Sequence, residues 1–515
     1  MKAAIVLFAT IALAAQAQPT PSTTSNFGAV NFRTSCAAAV QKDFNHAVAL
    51  LHSFEYDEAR DAFTTIAKQD PKCAMAQWGI AMTYFHGLWG EIDVPQGRAA
   101  TEEAQHLAAA DPQTTPREKA FIAALVALYD GDKVDWPTRT KAFSSKMEQV
   151  HAHSPHDDEA AIFYALSLDE SAGNDPEHHN EHACVAILKP LFHEHPNHPG
   201  IAHYLIHCND NDAMARDGLA AAEAYAKIAP SSSHAEHMPS HIFVRLGMWK
   251  QTIDSNIGAM KAAENDQAES ECERRDNELH AMHFLQFAYL QAGRMQDAKQ
   301  IADRAQALPP IQGHDCRASA AGVVASYALD ARDWQMASAM KEVGEGPDRL
   351  LTAAAIALGS AHTGDLARAE ELESKLQDWI SKRSLPGGHD LREVVRLEIA
   401  SAIAEQRHDE TKARELMQSA VKAGPIAAWI MPPPEQLEGD LLLEQHHPEE
   451  ALAAYRAALK ATPNLFNAVA GAAQAAEMMG DAPTSARYYR QLLEVAGQGD
   501  RPELEQARKR LVAAK

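Results

Sequence analysis

Small and large apolar residues recur along this chain at helical spacing, in blocks that end near a proline. In the clearest block, which runs from Gln445 to Leu459, alanines and Tyr455 repeat every three or four positions, and Pro463 follows. Residues at this spacing share one face of a helix, where small side chains let a neighbouring helix approach and large ones fill the contact. Proline ends the helix because it cannot continue the hydrogen-bond ladder. The pattern predicts helical hairpins.

Parts of the same pattern return several times along the chain. They occur at Tyr56, Ala59, Phe63 and Pro71; Tyr289, Gly293, Ala298 and Ala305; Gly364 and Ala369; Ala413, Met417, Ala420 and Pro425; and Gly480, Tyr489 and Leu492. A single hairpin cannot bury its own apolar face, so neighbouring hairpins must stack. No segment alternates apolar and polar residues with period two, and we therefore predict no sheet. The expected fold is all-α, an α-solenoid of stacked helical hairpins.

The spacing of small residues, aromatics and terminal prolines resembles the tetratricopeptide (TPR) repeat over roughly residues 36–500. The resemblance is strong in 44–84 and 234–499 and weak in 87–200, where longer connections are expected. It implies a TPR-like superhelical array whose concave groove is lined by the first helix of each hairpin. In that family the second, fifth and ninth residues of the first helix face the groove.

The N-terminus has the features of a cleaved secretory signal. Lys2 precedes a short apolar stretch, and cleavage is expected between Ala17 and Gln18. The expected organisation is a signal peptide (1–17), a linker (18–35), divergent hairpins (36–230), central units (231–350), C-terminal TPR units (351–500) and a helical tail (501–515). Export would place the mature protein in the periplasm or outside the cell. No later apolar stretch is long enough to span a membrane.

Charge and cysteine content narrow the possible partners. The 515 residues carry a formal net charge of −23, which argues against nucleic acid and anionic membranes as partners. Neither a nucleotide-binding glycine loop nor the C-x-x-C-H sequence of c-type haem is present. Six cysteines in an oxidising compartment could form three disulfides. Pairing neighbours in sequence gives Cys36–Cys73, Cys184–Cys208 and Cys272–Cys316; the alternative is that some are buried free thiols.

Histidine is abundant, with 26 residues, and several histidines fall in register on predicted first helices. When the units are numbered from Pro230, Gly247 and Gly293, groove positions of three successive hairpins are occupied by His203, His207, His234, His237, His241, His280 and His283. Histidines three or four residues apart share a helix face. The loop histidines, which include those of 193–198, are expected to be mostly solvated.

Imidazoles from adjacent helices could converge on one metal ion. Imidazole suits zinc, copper, iron or nickel, so residue type does not choose among these metals. Asp210, Asp212 and Glu236 lie close by in sequence and could support the ligands or join them. The alternatives are recognition of an acidic or aromatic ligand, pH-sensitive binding, and histidines that serve only the fold.

Two longer motifs resemble exported bacterial TPR proteins. One runs from Leu50 through Phe54 to Asp70–Ala81, and the other joins 198–207 to 237–249. This resemblance implies the fold and export and names no substrate. The leading hypothesis is a scaffold that binds a protein or peptide partner, or a metal ion, in a His-lined groove. The alternatives are a metal-dependent hydrolase or oxidase, with Glu236 as a possible base, and a purely structural interaction protein.

Overall fold

The computed structural model describes residues 27–173, 175–265, 270–309, 311, 320–343, 348–382 and 390–513. The helices of the first half are α1 Gln41–His52, α2 Tyr56–Gln69, α3 Ala74–Met82, α4 Val94–Ala110, α5 Pro116–Tyr129, α6 Trp136–His153, α7 Asp158–Glu170, α8 His179–Glu194, α9 Pro199–Cys208, α10 Leu219–Ile228, α11 Ser233–His237, α12 Pro239–Arg245 and α13 Trp249–Asn265. Short 3-10 helices span Ala38–Val40 and Gly87–Trp89.

The second half also consists of helices. Its helices are α14 Glu271–Gln291, α15 Met295–Ala307, α16 Ala320–Asp330, α17 Trp334–Ala339, α18 Arg349–Thr363, α19 Leu366–Lys382, α20 Leu391–Gln406, α21 Glu410–Ala423, α22 Pro434–Glu444, α23 Pro448–Ala461, α24 Phe466–Met478, α25 Ala482–Ala496 and α26 Pro502–Ala513. Nearly every helix packs against the next one along the chain. The predicted fold class, an all-α TPR-like array of helical hairpins, is confirmed.

Small residues hold the hairpins together in the way that the sequence pattern predicts. Tyr455 of α23 is buried between Gly439 of α22 and Gly471 of α24. A Cβ atom at position 471 would lie 2.2 Å from the Tyr455 ring. The earliest repeat uses the same device, because a Cβ atom at Gly79 would lie 2.4 Å from the Phe63 ring. The small residue is therefore required for the large one to fit.

The prediction that the chain contains no sheet was wrong at one point. A two-residue strand, β1 (Phe85–His86), pairs antiparallel with β2 (Glu91–Ile92). Gly90 takes φ +70°, a left-handed conformation that glycine adopts without strain, and so lets the chain reverse. This ladder lies in the region where the repeat pattern is weak.

The described part of the expected linker, residues 27–35, is packed against the protein. Phe32 is fully buried and its ring contacts Phe44, Trp78 and Phe121 at centroid distances of 5.2–5.5 Å. The core of the N-terminal half therefore begins before the first helix. The expected signal peptide and its cleavage site, Ala17 and Gln18, lie outside the described residues.

The array folds back so that its C-terminal hairpins pack on the central ones. The Trp249 indole donates to the Asn464 carbonyl oxygen (2.9 Å), and the Asp500 carboxylate accepts the Met295 amide (2.7 Å). Gly247 makes the approach possible, because a Cβ atom there would lie 2.2 Å from the Pro463 carbonyl oxygen. The central helices are therefore covered by residues more than 200 positions away.

Two disulfides brace the N-terminal half. Cys36 is joined to Cys73, and Cys184 of α8 is joined to Cys208 of α9. Both pairs are among the three that were predicted by joining neighbours in sequence. The third expected pair includes Cys316, which lies outside the described residues. Among the helices that the structure describes, none is long and apolar enough to cross a bilayer.

Candidate metal centre

Four helices carry the histidines of the predicted groove. His203 and His207 lie on α9, and His280 lies on α14. Between them α11, which is capped by the Ser232 hydroxyl, ends at His237, and Pro239 begins α12. Proline has no backbone N–H to donate, which is why the helix is interrupted there. Successive repeats therefore bring their histidines side by side.

The first triad consists of His203, His207 and His234. His203 is central: its Nε2 atom lies 2.9 Å from His234 Nε2 and 3.0 Å from His207 Nε2. One ligand nitrogen from each of the three lies within 4.8 Å of the other two. Two of these residues come from α9 and one from α11, so the triad joins two hairpins.

The second triad consists of His237, His241 and His280. The Nε2 atoms of His237 and His241 lie 3.0 Å apart, and the His280 ring centroid is 4.4 Å from that of His237. Again one ligand nitrogen from each residue lies within 4.8 Å of the others. The sequence analysis suggested that the histidines could converge on one metal ion. In the structure six of the seven form two separate groups, and His283 belongs to neither.

Hydrogen bonds fix the proton positions on three of these rings. His203 Nδ1 donates to the His52 carbonyl oxygen (2.6 Å), and His237 Nδ1 donates to Asn256 Oδ1 (2.7 Å). The Asn256 amide nitrogen is engaged with the Thr252 carbonyl oxygen, which fixes the orientation of that side chain. A neutral imidazole that donates from Nδ1 has a lone pair on Nε2. His203 and His237 therefore direct lone pairs into their triads.

His241 is held in the same way by a carboxylate. Its Nδ1 donates to Asp210 Oδ2 (2.8 Å), and Arg245 pairs with both Asp210 (2.5 Å) and Asp212 (2.7 Å). Burial alone would raise the pKa of Asp210, but Arg245 and His241 hold it below its ordinary value. A carboxylate behind a histidine orients the ring and increases the basicity of its other nitrogen. Asp210 thus has the geometry of the predicted supporting partner.

The spacing within the triads fits one ion in each. Two nitrogens bound to the same ion at about 2.0–2.1 Å lie roughly 2.9–3.4 Å apart for bond angles of about 90–110°. The Nε2 atom of His203 lies 2.9–3.0 Å from those of His234 and His207, and those of His237 and His241 lie 3.0 Å apart. These three pairs have ligand spacing, and the remaining ligand nitrogens of each triad lie within 4.8 Å of one another.

Burial keeps the ligand rings neutral. It lowers the pKa of His207 to about 3 and lowers those of His203, His234 and His237 well below the ordinary imidazole value. Neighbouring imidazoles add to the effect, since a charge on one opposes a charge on the next. Metal ions bind the neutral form of histidine, so no proton has to be displaced from these four rings at neutral pH.

The two triads are neighbours. His234 of the first and His237 of the second lie three residues apart on α11, where Cβ atoms are about 5–6 Å apart. A charge on His241 also lowers the pKa of His207 in the other triad. Two ions bound here would therefore lie close together and interact electrostatically.

Aromatic rings surround both triads. Phe54, which takes a left-handed φ of 61°, places its ring 4.3 Å from that of His203, and Trp89 lies 5.7 Å from His234. Trp429 arrives from the C-terminal half and lies 6.3 Å from His241 and 4.5 Å from Phe284. Sequence reasoning missed these residues, because Trp429 is brought to the site only by the folding back of the array.

A third buried cluster supports the first triad from behind. His52, whose carbonyl oxygen holds His203, bonds through Nε2 to Glu159 (3.0 Å) and through Nδ1 to the Tyr204 hydroxyl (2.8 Å). Glu159 also contacts His198 Nε2 at 3.2 Å. The expectation that the loop histidines are mostly solvated was wrong for His198, which is buried because Glu159 offers it a charged partner.

Two predicted residues do not join the triads. Glu236 packs towards Gly258 of α13, where a Cβ atom would lie 2.5 Å from its carboxylate, and burial raises its pKa. It faces a neighbouring helix, so its proposed role as a base has no geometric support. His283 lies beside Trp429, with ring centroids 5.7 Å apart, and burial lowers its pKa to about 4.

Comparison with protein-family models and with curated proteins finds no match. Among solved structures the chain is similar to yeast Tom70, at 12% identity over 92% of this chain and 95% of that one, with a TM-score of 0.35. It is also similar to the human IFIT1 dimer with m7Gppp-AAAA, at 14% identity over 87% of this chain and 88% of that one, with a TM-score of 0.38.

Proposed function

We propose that this protein is an exported interaction scaffold that binds transition-metal ions in its His-lined groove, one ion on each triad. The extended surface of a helical-repeat array suits a protein or peptide partner. Two disulfides, Cys36–Cys73 and Cys184–Cys208, support an oxidising compartment, since disulfides are rare in the cytosol. The acidic net charge of −23 makes nucleic acid an unfavourable partner.

The observation that carries the metal proposal is the contact between His237 and His241. Both rings donate from Nδ1, to Asn256 and Asp210, and so in their neutral forms both present lone pairs from Nε2 atoms 3.0 Å apart. Two lone pairs at this distance repel each other unless a cation lies between them. The cation is either a proton or a metal ion, and a third imidazole, His280, converges on the same point.

The donor set selects the class of metal. Each triad offers three imidazoles, and the carboxylate of Asp210 is engaged with His241 and Arg245. Zinc, copper, nickel and iron accept imidazole, whereas magnesium and calcium require oxygen ligands. We propose a metal of the first group.

Metal-dependent stabilisation of single-site variants tests the proposal. A ligand at about 100 times its dissociation constant stabilises a folded protein by about 2.7 kcal/mol. We expect zinc or copper to raise the unfolding temperature of the untagged chain. His203→Gln and His237→Gln should each lose part of this rise, and the double variant should lose all of it. His193→Gln, which alters an exposed histidine, is the matched control. Equal stabilisation of all variants would refute binding at the triads.

A second candidate function is a metal-dependent hydrolase or oxidase. It is favoured by the number of ligands, because a three-histidine centre leaves a position for water or dioxygen. Glu236 is not its base, since it faces α13. Oxygen consumption and ester hydrolysis by the metal-loaded chain, compared with the double variant His203→Gln/His237→Gln, test this function. Rates equal in the two proteins would exclude it.

If neither metal binding nor turnover is found, the histidines serve the fold alone. The triads would then contain hydrogen-bonded imidazoles that join α9 to α11 and α11 to α12. Loss of thermal stability in the variants, without any effect of added metal, would distinguish this outcome.

A further inference from the structure

A cavity in the C-terminal half shares none of its lining residues with the histidine triads. It has a volume of about 130 Å³ and lies among α16, α18, α20 and α22, the first helices of successive hairpins. These helices correspond to the ones that carry the triads in the central units. The cavity is therefore a separate part of the groove face.

A buried carboxylate lines this cavity. Glu398 is 0% exposed, and among the residues that the structure describes neither of its carboxylate oxygens has a hydrogen-bond partner. The Gln436 side chain, 2% exposed, also lines the cavity, and its Nε2 atom has no hydrogen-bond partner in the described part of the chain. A buried polar group without a partner costs about 1–3 kcal/mol, and more if it is charged. Such groups are expected where a ligand supplies the missing bonds.

The charge around the cavity is predominantly negative. Glu405, Asp440 and Glu444 line it together with Glu398, and the cation among them is Arg332. Arg332 is paired with Asp440 at 2.6 Å, so its charge is already balanced. Burial lowers the pKa of the one lining histidine, His362, to about 4, so it adds no positive charge at neutral pH.

The remaining walls are mostly apolar, with Ser401 and Gln406 as polar members. Their apolar members include Leu329, Trp334, Leu358, Met417, Leu437 and Leu441. A ligand that fits must therefore combine an apolar stem with a positively charged end. A primary alkylammonium group, as in a lysine side chain or a free alkylamine, has this form and brings three donors.

We propose that this cavity binds a primary alkylammonium group, with the ammonium on Glu398 and the alkyl stem against the leucine and tryptophan walls. Without a bound cation, burial raises the pKa of Glu398 well above its ordinary value, which favours the neutral carboxyl. A bound ammonium favours the ionised form, and the proton of Glu398 leaves to solvent. Binding is therefore coupled to release of a proton.

Calorimetry with n-pentylamine tests the proposal on the full chain, with 1-pentanol as the uncharged probe. We expect the amine to bind at least about tenfold more tightly than the alcohol, since a charge-assisted bond contributes about 1.5–3 kcal/mol. Glu398→Gln should abolish the difference. Glu415→Gln, an exposed acid on α21, is the control and should retain it. Equal affinities of the unaltered chain for amine and alcohol would overturn the proposal. So would a Glu398→Gln variant that keeps the full preference for the amine.

A second measurement does not depend on the variant. Titrations of the unaltered protein in two buffers with different ionisation enthalpies report the protons released on binding. We expect a release of up to one proton per amine bound at neutral pH, and no release would contradict the role of Glu398. The pentapeptide acetyl-Ala-Ala-Lys-Ala-Ala-amide and its norleucine analogue distinguish a peptide source from a free amine. Lysine-dependent peptide binding supports a presented side chain, and binding of pentylamine alone supports a small amine.

Discussion

The Nε2 atoms of His237 and His241 lie 3.0 Å apart, and the Nδ1 atoms of both rings are engaged as donors. The His237 ring is held by the side-chain amide of Asn256, and the His241 ring is held by the carboxylate of Asp210. With both rings neutral, their Nε2 lone pairs face each other, and a proton or a metal ion between them would relieve the repulsion. Removing the carboxylate behind His241 is therefore a direct way to weaken the second centre.

Asp210→Asn should lower metal affinity at the second triad by about 10- to 100-fold, because it removes the charge that supports His241. The measurement is a competition titration with a chromophoric chelator in the His203→Gln background, which leaves the second triad as the intact centre. Asp212→Asn is the matched control, since that carboxylate pairs with Arg245 and not with a histidine. Equal affinities of the two variants would show that Asp210 has no such role.

Repeat numbering includes all six histidines of the two triads, but the sequence does not predict how they divide into two groups. The register of His203, His237 and His280 follows from repeat numbering, because that numbering depends on spacing alone. Which rings meet depends on contacts between hairpins. The spacing of residues within a repeat does not predict those contacts. Trp429 could not be predicted as part of the site either, since its contact with His241 crosses about 190 residues.

The fold shows the same limit. The small-to-large packing of Gly471 on Tyr455 follows from the local pattern, and the hairpins form as predicted. The folding back of the array depends on isolated contacts, such as Trp249 with Asn464, which have no counterpart in the repeat. His198 was expected to be mostly solvated because its segment lies at a helix end and loop, whereas its partner Glu159 lies 39 positions earlier in the sequence.

Gly471→Ala should destabilise the protein by about 1–3 kcal/mol, because the added Cβ would overlap the buried Tyr455 ring. Gly258→Ala is the matched change, since its Cβ would meet only the flexible end of Glu236. Alanine is favoured over glycine within a helix by about 0.5–1 kcal/mol, so this variant should be neutral or slightly stabilised. Urea unfolding measures the free energy of unfolding of both variants. A Gly471→Ala variant as stable as Gly258→Ala would contradict the packing described.

His283→Gln should reduce the loss of stability of the metal-free protein on acidification. The ordinary pKa of 6.5 applies to the unfolded chain, whereas burial lowers it to about 4 in the folded chain. Between these values the unfolded chain binds more protons, so stability falls as pH falls. At pH 5 the contribution of this residue is about 1–2 kcal/mol.

Urea unfolding at pH 7.5 and pH 5 in the presence of a chelator measures this effect. His106→Gln, which changes an exposed histidine on α4, should behave like the unaltered chain. The burial of His283 would be refuted by a His283→Gln variant that loses as much stability at pH 5 as the other two proteins.

The number of metal ions bound per chain tests the central claim most directly. The protein is prepared without an affinity tag, freed of metal and dialysed to equilibrium against zinc or copper. Its metal content is then determined by inductively coupled plasma mass spectrometry. Two triads predict two ions per chain, with one lost on His203→Gln and the other on His237→Gln. A value of zero for the unaltered chain would contradict metal binding. A single ion in the unaltered chain, or two ions retained in either variant, would contradict two centres.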